Sequence, residues 1–289
     1  MKHWIYILCG TMAEGVELMS MREASELAYD ARVAEVNALF ENPMNEGYVI
    51  LIVEGADDAE VYGKVVNENA VRIYPDCDCD KHVIILNELN GKYGSRLLAI
   101  KDADFDRLEG QQYSYSNLLL TDTHDMEGMI VADCLPNLKD ENAFRCQSIN
   151  LDEVYAELED ISYLKWFNHA NQSGINFRDI RLNLDLSAYF NAVVENTNNE
   201  VNVELTDVAE FKNRHQDADH KEMCNGHDLF ERIYVRAKAA KVTNFPKKPF
   251  FRDLRAAYPP KAFLQTALFH AIQEWEEATG NSILAVVSR

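Results

Sequence analysis

Three groups of carboxylates follow apolar runs of strand length. Glu54 follows residues 48–53, Asp102, Asp104 and Asp106 follow residues 96–100, and Asp122, Asp125 and Glu127 follow residues 117–120. In an open parallel sheet the carboxyl ends of the strands share one edge. Acids remote in sequence are therefore expected to meet there. Ionised carboxylates in close company repel one another, and they either keep protons through raised pKa values or bind a hard cation. Mg²⁺ favours a few carboxylates together with water and phosphate oxygens. Ions of this kind activate the attacking oxygen and stabilise the leaving one in phosphodiester chemistry. A lone acid after a strand is more often a helix cap or a turn former. Repetition after three separate strands sets this group apart.

Other chemistries fit less well. Asp102-x-Asp104-x-Asp106 opens like a calcium loop, but Arg107 stands where that loop needs Gly and Tyr113 where it needs Glu. Asp76-x-Asp78-x-Asp80 fails in the same way, with Lys81 and Asn87 at those places. No G-x-x-x-x-G-K-[ST] occurs, which excludes a P-loop nucleotide hydrolase. A haloacid-dehalogenase-type phosphatase would place Thr or Val where Asp106 stands. Cys77 and Cys79 lie among acids with His82 nearby, yet lack the ligand spacing of a zinc site. His215, His220, His227 and Cys224 match no zinc spacing either and read as structural. His124, beside Asp125, reads as polar packing or as a proton shuttle.

The elements that must position the acids alternate strand with helix. Ser20 and Glu23 form a capping box for a helix reaching about Phe40, and Pro43 stops it. Residues 48–53 are continuously apolar, as a strand buried on both faces requires. Asp57 and Asp58 open a helix, residues 71–74 and 96–100 read as further strands, and residues 83–89 fit strand or helix. A helix is expected from 126 to 135. Such alternation indicates an α/β fold with a mostly parallel sheet flanked by helices. Beyond a soft boundary near 145 the pattern becomes mainly helical, with helices expected at 151–167, 184–194 and 263–278. Gly226-His227-Asp228 should start another helix, with Asp228 near its N-terminus. The expected organisation is thus a leading segment with a helix (1–44), a catalytic part (45–145) and a helical part (146–289). Residues 1–19 read as an extra strand or as sequence preceding a translation start at Met19 or Met21.

Val53-Glu54-Gly55-x-x-Asp58, with Asp102-x-Asp104-x-Asp106 about fifty residues on, resembles the Toprim motif set. That fold is shared by topoisomerases, bacterial primases and the nucleases of OLD-type defence enzymes. LIVEGADDAEVYGKV, AIKDADFDRL, LLLTDTHDMEGMI and NGHDLFERI together resemble Toprim-like proteins that include the effector subunit of PARIS-type anti-phage systems. The resemblance covers residues 48–135 and 225–233. It implies Glu54 as a general acid/base or metal-bridging group and Asp102 with Asp104 as a metal-binding pair. Asp58, Asp106 and Glu127 then become neighbouring ligands. It further implies Mg²⁺, with Mn²⁺ as a substitute, and a cytoplasmic toxic endonuclease controlled by an ABC-type ATPase subunit. RNA such as tRNA is then preferred over DNA, and a homodimer is a further partner state. The alternative is a regulatory or binding module whose acidic pocket holds metal without turnover.

Charge supports a localised contact with a polyanion. The chain carries a net charge of −20, which excludes a general nucleic-acid coat because phosphate affinity comes from Lys and Arg. Yet nine basic residues lie between Arg232 and Lys261, opposed only by Asp253. Lys238, Lys241, Lys247, Lys248 and Arg252 are the expected nucleic-acid contacts of that stretch. A competing reading pairs the stretch internally with the acids of the first part. No apolar run approaches the ~18 residues of a membrane helix. Six cysteines without a C-x-x-C pair read as reduced thiols.

Overall fold

The computed structural model describes residues 21–75, 81–134, 149–197, 201–241 and 243–285. Four parallel strands, β1 (Val49–Val53), β2 (Val71–Pro75), β3 (Leu97–Lys101) and β4 (Leu118–Leu120), form one sheet in the order β2-β1-β3-β4. The three strands that end in acids are therefore neighbours. Successive side chains of a strand point to opposite faces, and both faces are covered here. Ile50, Ile52, Leu97 and Ala99 pack with Val36 and Phe40 of α1 (Met21–Glu41) and Ile85 and Leu86 of α3 (Lys81–Tyr93). The ambiguous run at 83–89 is thus helical: its apolar residues form one stripe against the sheet instead of alternating.

Leu51, Val53, Leu98 and Ile100 face the other way. They join a cluster built from α2 (Ala56–Tyr62), α4 (Met126–Cys134), α9 (Gly226–Ala239), α10 (Lys247–Ala256) and α12 (Ala267–Thr279). This single apolar cluster crosses residue 145, so helices late in the chain cover a sheet made early in it. The expected helix at 263–278 is divided into α11 (Pro260–Phe263) and α12, which Thr266 caps by accepting the Phe269 N–H at 3.0 Å. A second cluster joins α5 (Leu151–Asn171), α6 (Leu186–Glu195) and α7 (Leu205–Arg214). α8 (His220–Met223) is one short turn before α9. Among the described residues no helix is long and apolar enough to cross a membrane.

Candidate active site

Glu54 leaves β1 beside the loop that follows β3, and its Oε1 accepts the Asp102 N–H at 2.9 Å. Asp58 turns back over the start of α2, where Oδ2 accepts the Gly55 N–H at 2.8 Å. The β3 loop is in turn stitched to the end of β4. The Thr121 hydroxyl accepts the Ala103 N–H at 2.9 Å and donates to the Thr123 carbonyl at 2.8 Å. The Asp104 N–H donates to the His124 carbonyl at 2.7 Å. Asp104 sits at φ +45°, a left-handed conformation that Asp tolerates better than most residues. Phe105 anchors the same loop in the second cluster, with its ring 4.8 Å from that of His124 and 6.4 Å from that of Trp166.

Asp125 joins this group from the start of α4. Its Oδ1 accepts the Gly128 N–H at 2.7 Å and its Oδ2 the Gly226 N–H at 2.6 Å, at the N-terminus of α9. Gly226 is required by space: a Cβ there would stand 2.2 Å from Asp125 Oδ1 and 2.4 Å from Glu127 Cβ. The NGHDLFERI segment therefore contributes a backbone amide to the acidic edge, while Asp228 faces away to pair with Lys165.

The electrostatics divide the acids in two. Burial, then repulsion from Asp104, pushes Glu54 up to about 7, against the opposing pull of the Asp102 N–H and Lys101. Burial, then Glu127, takes Asp58 to about 7, and the same two causes take Asp125 to about 7 despite its two amide donors. Asp102 is raised well above the carboxylate range by burial and then by Glu54, Asp125, Asp58 and Asp104. The flanking acids have cations of their own. Lys101 Nζ lies 3.0 Å from Asp106 Oδ2 and 3.3 Å from Asp104 Oδ2, and Tyr113 donates to Asp106 at 2.7 Å. Lys101 is buried, which opposes its charge, but Asp104 and Asp106 hold it above the ordinary lysine value. Opposite, Arg255 donates to Glu127 Oε1 at 2.7 and 3.0 Å and lies 3.0 Å from Asp57.

No protein-family model, curated protein or solved structure compared with this chain matches it. The site is accordingly read from its own geometry.

Glu54, Asp58 and Asp102 are brought together, Asp104 stands beside them with Lys101 as its partner, and Asp106 and Glu127 sit at the margins in ion pairs. Asp122 is a remote helix cap, accepting the Ala267 and Leu268 N–H groups at 2.6 and 2.7 Å at the start of α12. His124 is buried, and burial lowers its pKa. Its Nδ1 lies 3.2 Å from the Glu222 carbonyl. A carbonyl only accepts, so Nδ1 donates to Glu222, and Nε2 lies 3.8 Å from Asp104 Oδ1. Among the described residues no group of three or more His, Cys, Asp or Glu side chains stands ready to hold a metal ion. His215 packs its ring on Trp166 and Phe211, His220 Nε2 lies 3.3 Å from Glu159, and Cys224 is buried against Ser162. The motif at 76–80 and residues 1–19 lie outside the described residues.

Sequence reasoning missed Lys101, Arg255 and the place of Asp125. A lysine closing the apolar strand 97–101 was a legible signal, since a buried amine needs a counter-charge. The basic stretch turns out to have two parts. Arg236 pairs with Glu153 and Glu157 at 2.6 and 2.7 Å, Arg232 pairs with Glu157, and Arg255 enters the site. Lys238, Lys241, Lys247, Lys248 and Arg252 are exposed, Lys247 lying 2.7 Å from Glu231 and Arg252 3.3 Å from Asp253.

Proposed function

We propose that this chain is a divalent-metal-dependent nuclease whose scissile phosphodiester lies over Glu54, Asp58 and Asp102. The observation that carries the reading is the set of carboxyls at and just after adjacent strand ends, raised by burial and mutual repulsion and, among the described residues, without the paired cation given to their neighbours. Their donor set fits Mg²⁺ or Mn²⁺ in element and charge. Glu54, Asp58 and Asp102 would hold the ion, with Asp104 beside them. When bound, such an ion supplies a polarised phosphoryl group and an activated water.

The chain's own residues contribute orientation and proton handling. Glu54 has one oxygen fixed by the Asp102 N–H, and its value of about 7 suits a group that takes up a proton near neutral pH. Lys101 fixes Asp104 and Asp106, and His124 stands beside Asp104 with Nε2 3.8 Å from its carboxylate. The role as a cytoplasmic defence effector, the control by an ABC-type ATPase and the preference for RNA such as tRNA rest on motif resemblance alone.

The test is Mg²⁺-dependent cleavage of labelled RNA and DNA by the purified protein, abolished in Glu54→Gln, Asp102→Ala and Asp104→Ala. Wild-type cleavage by Glu54→Gln would remove Glu54 from the chemistry. A second reading is a binding module whose acidic pocket takes up a cation without turnover. A melting temperature raised by millimolar Mg²⁺, without cleavage of any nucleic acid, would select it.

A further inference from the structure

The sequence from Thr243 into α10 carries charge and apolar surface that the fold does not use. Lys247 and Lys248 occupy the first turn of α10, which holds no acid, and Pro246 at the cap position supplies no side-chain hydrogen bond. Cations at a helix N-terminus oppose the helix dipole, so this placement weakens the helix that bears it. Phe245 precedes the cap, where an apolar residue ordinarily packs on the fourth helical residue, here Phe250. Phe250 instead packs its ring on Tyr234 at 5.3 Å, and Phe245 remains 46 % exposed. Tyr234 donates to the Phe245 carbonyl at 3.1 Å, fixing the backbone behind the exposed ring.

Lys248, Arg252 and Arg255 recur at i, i+4 and i+7 and so lie along one face of α10. With a rise of 1.5 Å per residue, they span about 10 Å. Arg255 ends the row inside the candidate site, on Glu127 and Asp57. Lys248 and Arg252 are exposed, and the Arg252–Asp253 pair is of the surface kind that contributes little. The row thus runs from the first turn of α10, three residues after the exposed Phe245, to the carboxylate edge, within a chain of net charge −20.

We propose, building on the nuclease reading, that this face of α10 guides a single-stranded or locally unpaired nucleic acid, stacking one base on Phe245 and contacting phosphates through Lys248 and Arg252. Stacking needs an exposed base face, which a continuous duplex does not offer, whereas single strands pair such rings with a basic track.

Binding of a labelled single-stranded 20-mer and of a duplex of equal length is measured with the full chain in EDTA, so that cleavage plays no part. Phe245→Ala should weaken single-strand binding about tenfold and duplex binding less than about twofold. Lys248→Glu with Arg252→Glu should weaken both and lower the log-affinity against log-salt slope for the single strand by about 1.4 for two lost contacts. Phe245→Ala should keep the wild-type melting temperature, and the double variant should melt no lower than wild type, because Lys248→Glu places an acid in the first turn of α10. Unchanged single-strand affinity in Phe245→Ala, or an unchanged salt slope in the double variant, would overturn the proposal. So would a wild-type chain that binds neither oligonucleotide but binds a purified ATPase subunit through these same residues. If the single strand binds as expected while no nucleic acid is cleaved with Mg²⁺, the nuclease reading fails and the binding surface stands.

Discussion

The central and flanking acids of the candidate site have similar side chains and sit a few residues apart, yet they are built by opposite means. Asp106 and Glu127 are buried and each meets a cation, Lys101 or Arg255, and Asp106 also accepts from Tyr113. Among the described residues the Glu54, Asp58 and Asp125 carboxylates accept only backbone amides, and these three and Asp102 are raised by burial and mutual repulsion. A charge-paired acid stabilises the fold and has little left to offer a ligand. An acid left uncompensated costs stability and is free to respond to a cation or a proton. The contrast marks the flanks as scaffold and sets the centre apart as the part left to respond to a proton or a ligand.

Removing a flanking cation should have the largest effect. Arg255→Met leaves Glu127 buried without its partner, which we expect to cost about 3–5 kcal/mol. Urea denaturation should show it, and adding Glu127→Gln should recover much of the loss. If Arg255→Met costs less than about 1 kcal/mol, the flanks are not scaffold. Gly226→Ala comes next, because its methyl group would overlap Asp125 and Glu127. A loss of about 1–3 kcal/mol is expected from such overpacking, read as a melting temperature several degrees lower. An unaltered melt would mean that α9 is not pinned to the acidic edge.

Neutralising the centre should act the other way. Glu54→Gln and Asp58→Asn each relieve repulsion, so stability should hold or rise by up to about 1 kcal/mol. A clear fall on thermal melting would place these two with the flanking acids.

The smallest effect is on pH dependence. Glu54, Asp58 and Asp125 bind protons more tightly folded than unfolded, with folded values of about 7. Between roughly pH 4 and pH 7 the folded chain therefore holds more protons. Their contribution to stability is full below the unfolded values and is lost as pH rises through 7. Melting temperature should fall from pH 5 to pH 7.5, and the fall should be shallower in a Glu54→Gln, Asp58→Asn double variant. The pair of Glu157 with Arg232 and Arg236 runs oppositely, with Glu157 lowered to about 2, but it titrates below this window. A profile rising over pH 5–7.5 would contradict raised central carboxyls.

Much of this arrangement is local information and was legible in the chain. An unbroken run such as 49–53 admits a strand covered on both faces, and a parallel sheet then forces the acids after β1, β3 and β4 onto one edge. Asp57 and Asp58 announced α2, and Gly226 with Asp228 announced α9, because caps and first-turn charges act within a few residues. The run at 83–89 stayed ambiguous because its helical stripe becomes decisive only once a sheet lies under it.

Which acids are free was decided by tertiary structure. Arg255 lies 128 residues from Glu127, Gly226 lies 101 from Asp125, and Ala267 lies 145 from Asp122. Each contact sorts an acid into ion pair, amide-held core or helix cap, and none leaves a mark on the spacing around the acid itself. A carboxylate's chemistry is set by burial and by the charges within a few ångströms of it. Those neighbours are supplied by helices that the sequence shows only as amphipathic, so the chain specified the cluster and the packing assigned its members their roles.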